Sequence, residues 1–241
     1  MRLIDHRAQT PEENLAMDEV LLINAEKGAI GETIRFWESK EYFVVVGRSG
    51  KISEECNSEK CNEKNIKCLR RISGGGTVLQ GPGCLNYSVI MSYEKNSSYR
   101  EINTSYEKIL TNIMKEIRRN GIESEFRPIS DLAAGRKKFS GNAQARKKRY
   151  FLHHGTFLYN FDIKKISEFL RYPPKEPLYR EKREHAEFVT NLSMPKQDIM
   201  NAILNSFSEK NEQWKPDNEV IEEVKLFSQG KYNSDEWNLM F

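Results

Sequence analysis

Apolar positions recur along the chain with two different periods, and the alternation between them sorts it into helices and strands. Thr10-Pro11-Glu12-Glu13 is a helix start, with a Thr N-cap, Pro at the first helical position and Glu three residues after the cap. The helix is predicted to continue through Asn14-Leu15-Ala16-Met17-Asp18-Glu19-Val20-Leu21-Leu22 to about Glu26 and to stop before Gly28. Residues 103–120 place Tyr106, Ile109, Leu110, Ile113, Met114 and Ile117 on one helical face. Asp162 is positioned to cap a short helix through Leu170, and two more helices are predicted near 196–209 and 217–228.

Extended segments carry the other period. Thr33–Trp37 and Tyr42–Val46 read as two strands with Glu38 to Lys40 turning between them, a hairpin. Leu85–Met91, Ile122–Phe126 and His154–Tyr159 are further strands. Residues 171–188 hold three prolines and a concentration of basic side chains without periodicity, which predicts a mobile loop. Strands mixed with helices predict an α+β fold with a mixed, largely antiparallel sheet flanked by helices, formed by residues 1–241 as one domain.

Composition narrows the partners. A net charge of +3 suits an acidic small molecule or an acidic protein and is far below what a duplex-DNA binder carries, so no nucleic-acid partner is expected. No apolar run reaches the roughly 18 residues of a membrane helix, and the N-terminus lacks the core of a signal peptide. Four cysteines in 241 residues do not make a disulfide scaffold, which points to a cytoplasmic protein. Cys56, Cys61 and Cys68 form no CxxC pair and have no histidine nearby, unlike a zinc site.

The candidate chemistry lies in two motifs. In Arg70-Arg71-Ile72-Ser73-Gly74-Gly75-Gly76-Thr77-Val78-Leu79-Gln80-Gly81-Pro82-Gly83-Cys84-Leu85-Asn86-Tyr87-Ser88, five of the 14 glycines fall within ten residues. Alone, this is a Gly-rich hairpin turn. With two arginines alongside, its backbone N–H groups also make a cradle for a carboxylate or phosphate. The second motif is Lys138-Phe139-Ser140-Gly141-Asn142-Ala143-Gln144 followed by His153-His154-Gly155-Thr156-Phe157-Leu158. Successive strand residues face opposite sides, so at most one of the two histidines can face a pocket; the other is a hydrogen-bonded structural residue.

Together the two motifs resemble the biotin/lipoate-type protein ligases, specifically the lipoate–protein ligase A family. Asn14–Glu19 is similar to that family's first helix, Phe36-Trp37 and Val45-Val46-Gly47-Arg48 to its first hairpin, and Thr190-Asn191-Leu192 to the end of its nucleotide loop. The resemblance implies a two-step reaction using ATP, Mg2+ and lipoate. Lipoate is activated to lipoyl-AMP and then transferred to a lysine of a lipoyl-carrier domain, of the glycine cleavage H protein or 2-oxoacid dehydrogenase E2 type. It implies Lys138 as the catalytic residue. Substrate and ATP would be held by Arg71, Ser73, Gly74, Gly75, Gly76, Thr77, Val78, Leu79, Gln80, Asp131, Lys138 and His154, with Asp131 near the magnesium. The 171–188 segment would fold over the nucleotide.

Three departures matter. Gln80-Gly81 stands where the family commonly has His-Asp, so this position cannot carry a charge. Cys84 stands where the ligases often have Asn, and a thiol there is a candidate acyl-accepting nucleophile. Related octanoyltransferases carry their cysteine where this chain has Arg127 in Arg127-Pro128-Ile129-Ser130-Asp131-Leu132, which counts against that chemistry. Glu236-Trp237-Asn238 resembles the close of the family's catalytic domain, so the smaller accessory domain of the long ligases is expected to be absent here and a small accessory subunit is a possible partner. An octanoyl or lipoyl transferase working without ATP, and a non-catalytic acyl-adenylate- or carrier-binding module, are the alternatives.

Overall fold

The computed structural model describes residues 1–6, 8–207 and 210–241. In chain order the elements are β1 (Arg2–Ile4), α1 (Pro11–Lys27), β2 (Thr33–Trp37), β3 (Phe43–Val46), α2 (Ile52–Glu55), α3 (Ser58–Glu63), β4 (Cys68–Arg70), β5 (Val78–Gln80) and β6 (Cys84–Ser92). They continue with α4 (Ile102–Arg119), β7 (Glu125–Arg127), β8 (Asp131–Ala134), β9 (Lys137–Arg146), β10 (Tyr150–Leu158), α5 (Lys164–Phe169), α6 (His185–Phe188), α7 (Lys196–Phe207), β11 (Glu212–Trp214), α8 (Asn218–Phe227) and α9 (Asp235–Asn238).

Two sheets organise them. The larger has eight strands in the order β11-β1-β2-β6-β10-β9-β8-β7, antiparallel from β2 onward and parallel where β1 meets β2 and β11. The smaller is β4-β3-β5. The architecture is thus α+β with a mixed, largely antiparallel sheet. The central strand β6 is buried along its whole length, and its alternate residues serve two cores. Leu85, Tyr87, Val89 and Met91 pack with Phe151 and Phe157 under α4 and α7. On the opposite face Ile90 and Leu152 meet Leu15, Leu22 and Ala25 of α1, with Val220 and Val224 of α8 behind. The helix starts as its sequence dictates: Thr10 Oγ1 accepts the Glu13 N–H at 3.2 Å, and Gly28 closes α1 at φ +84°.

The structure corrects the extended regions most. The predicted hairpin does not form: β2 pairs with β6 and β1 in the large sheet, whereas β3 pairs with β4 and β5 in the small one. All four residues of β3 are buried, so both of its faces need cover that a two-stranded hairpin lacks. The strand predicted at Ile122–Phe126 is shorter and displaced to Glu125–Arg127, and that at His154–Tyr159 begins earlier, at Tyr150. Residues 171–188 are not featureless: they hold a 3-10 turn at Leu178–Arg180 and the short α6. The helix predicted near 196–209 ends at Phe207, with its last two positions outside the described residues. Among the described residues, no helix is long and apolar enough to cross a membrane.

Candidate active site

Between the small sheet and the cavity face of the large one lies a cavity of about 830 Å3, within the size range of small-molecule sites. One part of its wall is apolar: Leu15, Trp37, Val45, Val78 and Leu79. The other is charged: Arg127, Asp131, Lys138, Lys175, Glu176 and Arg180. An amphipathic ligand with an acyl chain and an anionic head matches that division.

Lys138 reaches this cavity because of a β-bulge. Strict alternation along β9 would put Lys138 on the same face as Ser140, toward the α4 core. The β8–β9 register shifts, however: Leu132 pairs with Ser140, but Ala133 pairs with Lys138. Phe139 is the extra residue and fills the core beside Phe157, at a centroid distance of 5.9 Å, which turns Lys138 to the cavity side. Gly141 leaves room for it, since a Cβ there would lie 2.7 Å from Lys138 Nζ. Lys138 Nζ then forms an ion pair at 2.8 Å with Asp131 Oδ1, while Asp131 Oδ2 accepts the Tyr179 hydroxyl at 2.7 Å. Burial first, and then the Asp131 charge, pushes the Tyr179 phenol up.

The glycine loop joins β4 to β5 and is held from behind. Arg71 is buried and directs its donors to its own loop, to Gly74 O at 2.6 Å and Gly76 O at 2.9 Å, and to Val45 O at 3.2 Å. Burial lowers its pKa to about 10, so it stays cationic at neutral pH. Gly75 adopts φ +89°, a conformation that favours glycine. Farther along the loop, Thr77 donates from N and Oγ1 to Glu55 Oε2.

Behind Arg71 runs a buried polar chain. Arg71 Nε donates to Ser73 Oγ at 2.9 Å, Ser73 Oγ meets His154 Nε2 at 2.6 Å, and His154 Nδ1 meets Asp18 Oδ2 at 3.0 Å. Asp18 Oδ1 accepts from Arg35 Nη1 at 2.8 Å. Burial would raise the Asp18 pKa, but the Arg35 charge and the His154 and Ser88 hydrogen bonds hold it below the ordinary value. An ionised Asp18 requires the proton on His154 Nδ1. With Nδ1 facing that carboxylate, Nε2 faces Ser73, whose oxygen accepts from Arg71. Asp18 is thereby connected, through His154 and Ser73, to the guanidinium that shapes the loop.

Of the residues expected at the site, Arg71, Gly75, Gly76, Thr77, Val78, Leu79, Gln80, Asp131, Lys138 and His154 line the cavity. Ser73 and Gly74 do not. Ser73 is buried behind the loop between Arg71 and His154, and Gly74 is exposed but outside the cavity lining. Asp131 does not fit a resident magnesium site. Both of its oxygens are engaged, and no group of three or more His, Cys, Asp or Glu side chains is arranged to hold a metal ion among the described residues. Cys84 is buried against Gln80 Oε1 at 3.3 Å and burial pushes its thiol up, so it is neither exposed to the cavity nor activated. Asp18, Arg35, Glu55, Arg127, Tyr179 and Arg180 were not anticipated as site residues. Asp18 had a signal: it lies three residues from Leu15 and four from Leu22, an acid on the apolar face of a helix.

His153 faces the opposite core. Gln144 Nε2 donates to its Nδ1 at 3.1 Å, and its Nε2 lies 3.0 Å from the Tyr87 hydroxyl, which donates to Asn142. Burial, then the neighbouring His154, lowers its pKa from 6.5 to about 3. The folded state keeps this imidazole neutral while the unfolded chain binds a proton below pH 6.5. Stability is thus fully present above that pH and is lost as pH falls toward 3, at ~1.4 kcal/mol per pH unit. Denaturant unfolding at pH 7 and pH 5 measures this, and His153→Gln is expected to flatten the slope whatever its stability at pH 7.

A family model described as the lipoyl protein ligase A/B catalytic domain matches residues 10–208. Lipoate–protein ligase 1 of Staphylococcus aureus is 28% identical over 236 residues, covering 95% of this chain and 70% of that protein. Octanoyltransferase LipM of Bacillus subtilis is also 28% identical, over 271 aligned positions covering 98% and 97%. The bipartite lipoate protein ligase of Thermoplasma acidophilum, described with its E2 lipoyl domain, superposes with a TM-score of 0.83 at 23% identity, covering 99% of this chain and 95% of that one. A lipoate–protein ligase A bound with ATP superposes with a TM-score of 0.81 at 24% identity, covering 99% and 98%.

Proposed function

The chain belongs to the lipoyl protein ligase A/B catalytic-domain family, and from that premise we propose that it is an AMP-forming lipoate–protein ligase. The observation that carries the reading is the bulge-directed Lys138, facing a cavity with no cysteine in its described wall. An acyl transferase of the cysteine type needs a thiolate at the acyl carbonyl, whereas adenylation needs a fixed cation there.

In the first step a lipoate carboxylate oxygen attacks the α-phosphorus of ATP. The bond to the bridging oxygen breaks and pyrophosphate leaves with the electron pair. In the second, the amine of a carrier lysine attacks the acyl carbonyl, AMP departs, and the amine loses a proton. The apolar wall of Leu15, Trp37, Val45 and Val78 holds the acyl chain. The glycine-loop backbone, shaped by Arg71, receives the carboxylate. Lys138 stabilises the charge that gathers on phosphate and carbonyl oxygens in both steps. Lipoyl-carrier domains of the H-protein or E2 type are the acceptors. The S. aureus ligase supports this reading as a named relative, and the ATP-bound neighbour supports it through its fold.

The near full-length match to a LipM octanoyltransferase favours a second reading, ATP-independent acyl transfer. Lipoate-dependent exchange between ATP and pyrophosphate by the isolated chain, with intact-mass detection of a lipoylated carrier domain, separates the two. Exchange that appears only with an accessory protein added would assign the chain as a catalytic subunit. Carrier acylation from an octanoyl carrier without ATP would establish the second reading instead.

A further inference from the structure

Two guanidinium groups on the charged wall of the cavity hold buried donors with no partner. Arg180 is 4% exposed. Its Nε donates to Arg183 O at 2.9 Å and lies 3.6 Å from the Glu176 carboxylate, and its carbon sits 4.8 Å from the Tyr172 ring and 4.9 Å from the Phe188 ring. Its Nη2 is buried without a hydrogen bond. Arg127 repeats the pattern. Its Nη2 donates to Glu125 at 2.7 Å and its carbon lies 5.6 Å from the Tyr179 ring, while its Nε is buried and unpaired.

A buried charged donor without an acceptor is unfavourable, and two on one cavity wall are hard to attribute to packing. The other charged side chains there already have partners: Asp18 has Arg35, Asp131 has Lys138, and the Arg71 donors have loop carbonyls. Arg127, Lys175 and Arg180 are set against Glu176 in the wall and Glu125 just outside it, which leaves one net positive charge for an oxygen-rich anion. Arg127 also lies against Tyr179, whose hydroxyl touches the Asp131 that pairs with Lys138, so its guanidinium borders the Lys138 end of the cavity, and Arg180 lines the same cavity.

We propose that Arg127 and Arg180 bind the β- and γ-phosphates of ATP and hold the pyrophosphate that leaves in the first step. This rests on the ligase reading above. Guanidinium groups suit phosphate oxygens through charge-assisted hydrogen bonds, and these two are oriented in advance by the Tyr179, Phe188 and Tyr172 rings.

The test compares the two half-reactions. Arg180→Gln and Arg127→Gln are each assayed for lipoate-dependent adenylation with ATP, for inhibition by inorganic pyrophosphate, and for transfer from preformed lipoyl-AMP to a carrier domain. The acyl-adenylate carries no β- or γ-phosphate, so transfer is the internal control. Each variant is expected to lose about tenfold or more in adenylation kcat/KM and in pyrophosphate affinity, with a far smaller change in transfer. Equal losses in both half-reactions would reduce the arginines to structural supports, and unchanged adenylation would overturn the assignment outright. If the wild-type chain transfers from lipoyl-AMP but never adenylates with ATP, the ligase reading itself fails. If one variant does not fold, the other decides.

Discussion

Lys138→Ala is expected to lower the rate of both half-reactions by about 100- to 1,000-fold while leaving the melting temperature nearly unchanged. The side chain is partly exposed and projects into a cavity, so its loss opens no hole in the core. What disappears is a positive charge held by Asp131 beside Gly141, at the point where the proposed mechanism gathers negative charge in each step. Asp131 would also be left with only Tyr179 as a partner, so the variant's cavity becomes more negative. Single-turnover formation of lipoyl-AMP, and transfer from preformed lipoyl-AMP, measure the two effects separately. A variant that kept either rate within tenfold of the wild type would remove Lys138 from the mechanism of that step. Lys138→Arg is not expected to rescue, because Gly141 approaches Lys138 closely and a planar guanidinium has a different shape.

Arg35→Leu has the largest expected effect on stability, a loss of ~3–5 kcal/mol. Arg35 and Asp18 expose only 2% and 4% of their side chains, and removing one partner strands the other charge. Asp18 would then take up a proton to remain buried, its carboxyl no longer held down by the guanidinium. The double replacement Arg35→Leu with Asp18→Leu should cost less than the two single changes added together, and a denaturant double-mutant cycle reads that coupling directly. The same substitution acts on chemistry. A protonated Asp18 is no longer an obligate acceptor for His154 Nδ1–H, so the imidazole that contacts Ser73, and through it Arg71, loses its anchor. Additive stability losses with unchanged adenylation would refute the connection between this ion pair and the glycine loop.

The parts of this arrangement that were legible in sequence are those set by local physics. The first helix carries its own cap, its own stop and an apolar face, and it forms where those signals lie. The long helix α4 buries the face that its period marks, apart from Tyr106, which is half-buried. Sheet membership was not legible. Thr33–Trp37 and Phe43–Val46 have the composition and spacing of a hairpin, and only non-local partners, β6 for one and β4 and β5 for the other, separate them. The strand β9 was missed because Gly141, Ala143 and Ala145 stand where an apolar alternation would signal a strand, and its buried positions include the polar Ser140 and Asn142.

The orientation of Lys138 was hidden for the same kind of reason. A bulge is an event between two strands, and the sequence Lys138-Phe139-Ser140 read by itself places Lys138 with Ser140. Likewise, the pairing of Asp18 with Arg35 and His154 joins residues from α1, β2 and β10, which become neighbours only once the sheet has formed. The glycine motif was recognisable as a cradle, but not that its arginine would be spent on shaping the cradle itself.

The division of the cavity between two sheets has a consequence for how such a protein can diversify. The apolar lining residues Val45, Val78 and Leu79 come from the small sheet, and the charged residues Arg127, Asp131 and Lys138 come from the far end of the large one. Substitutions at the first group can retune which chain lengths and ring systems are admitted, and those at the second can retune the activated head group. Because the two groups share no strand, an ancestral pocket could explore a new tail without surrendering its chemistry. On the proposed ligase reading, libraries restricted to the small sheet are accordingly the efficient place to seek variants that accept unnatural acyl probes.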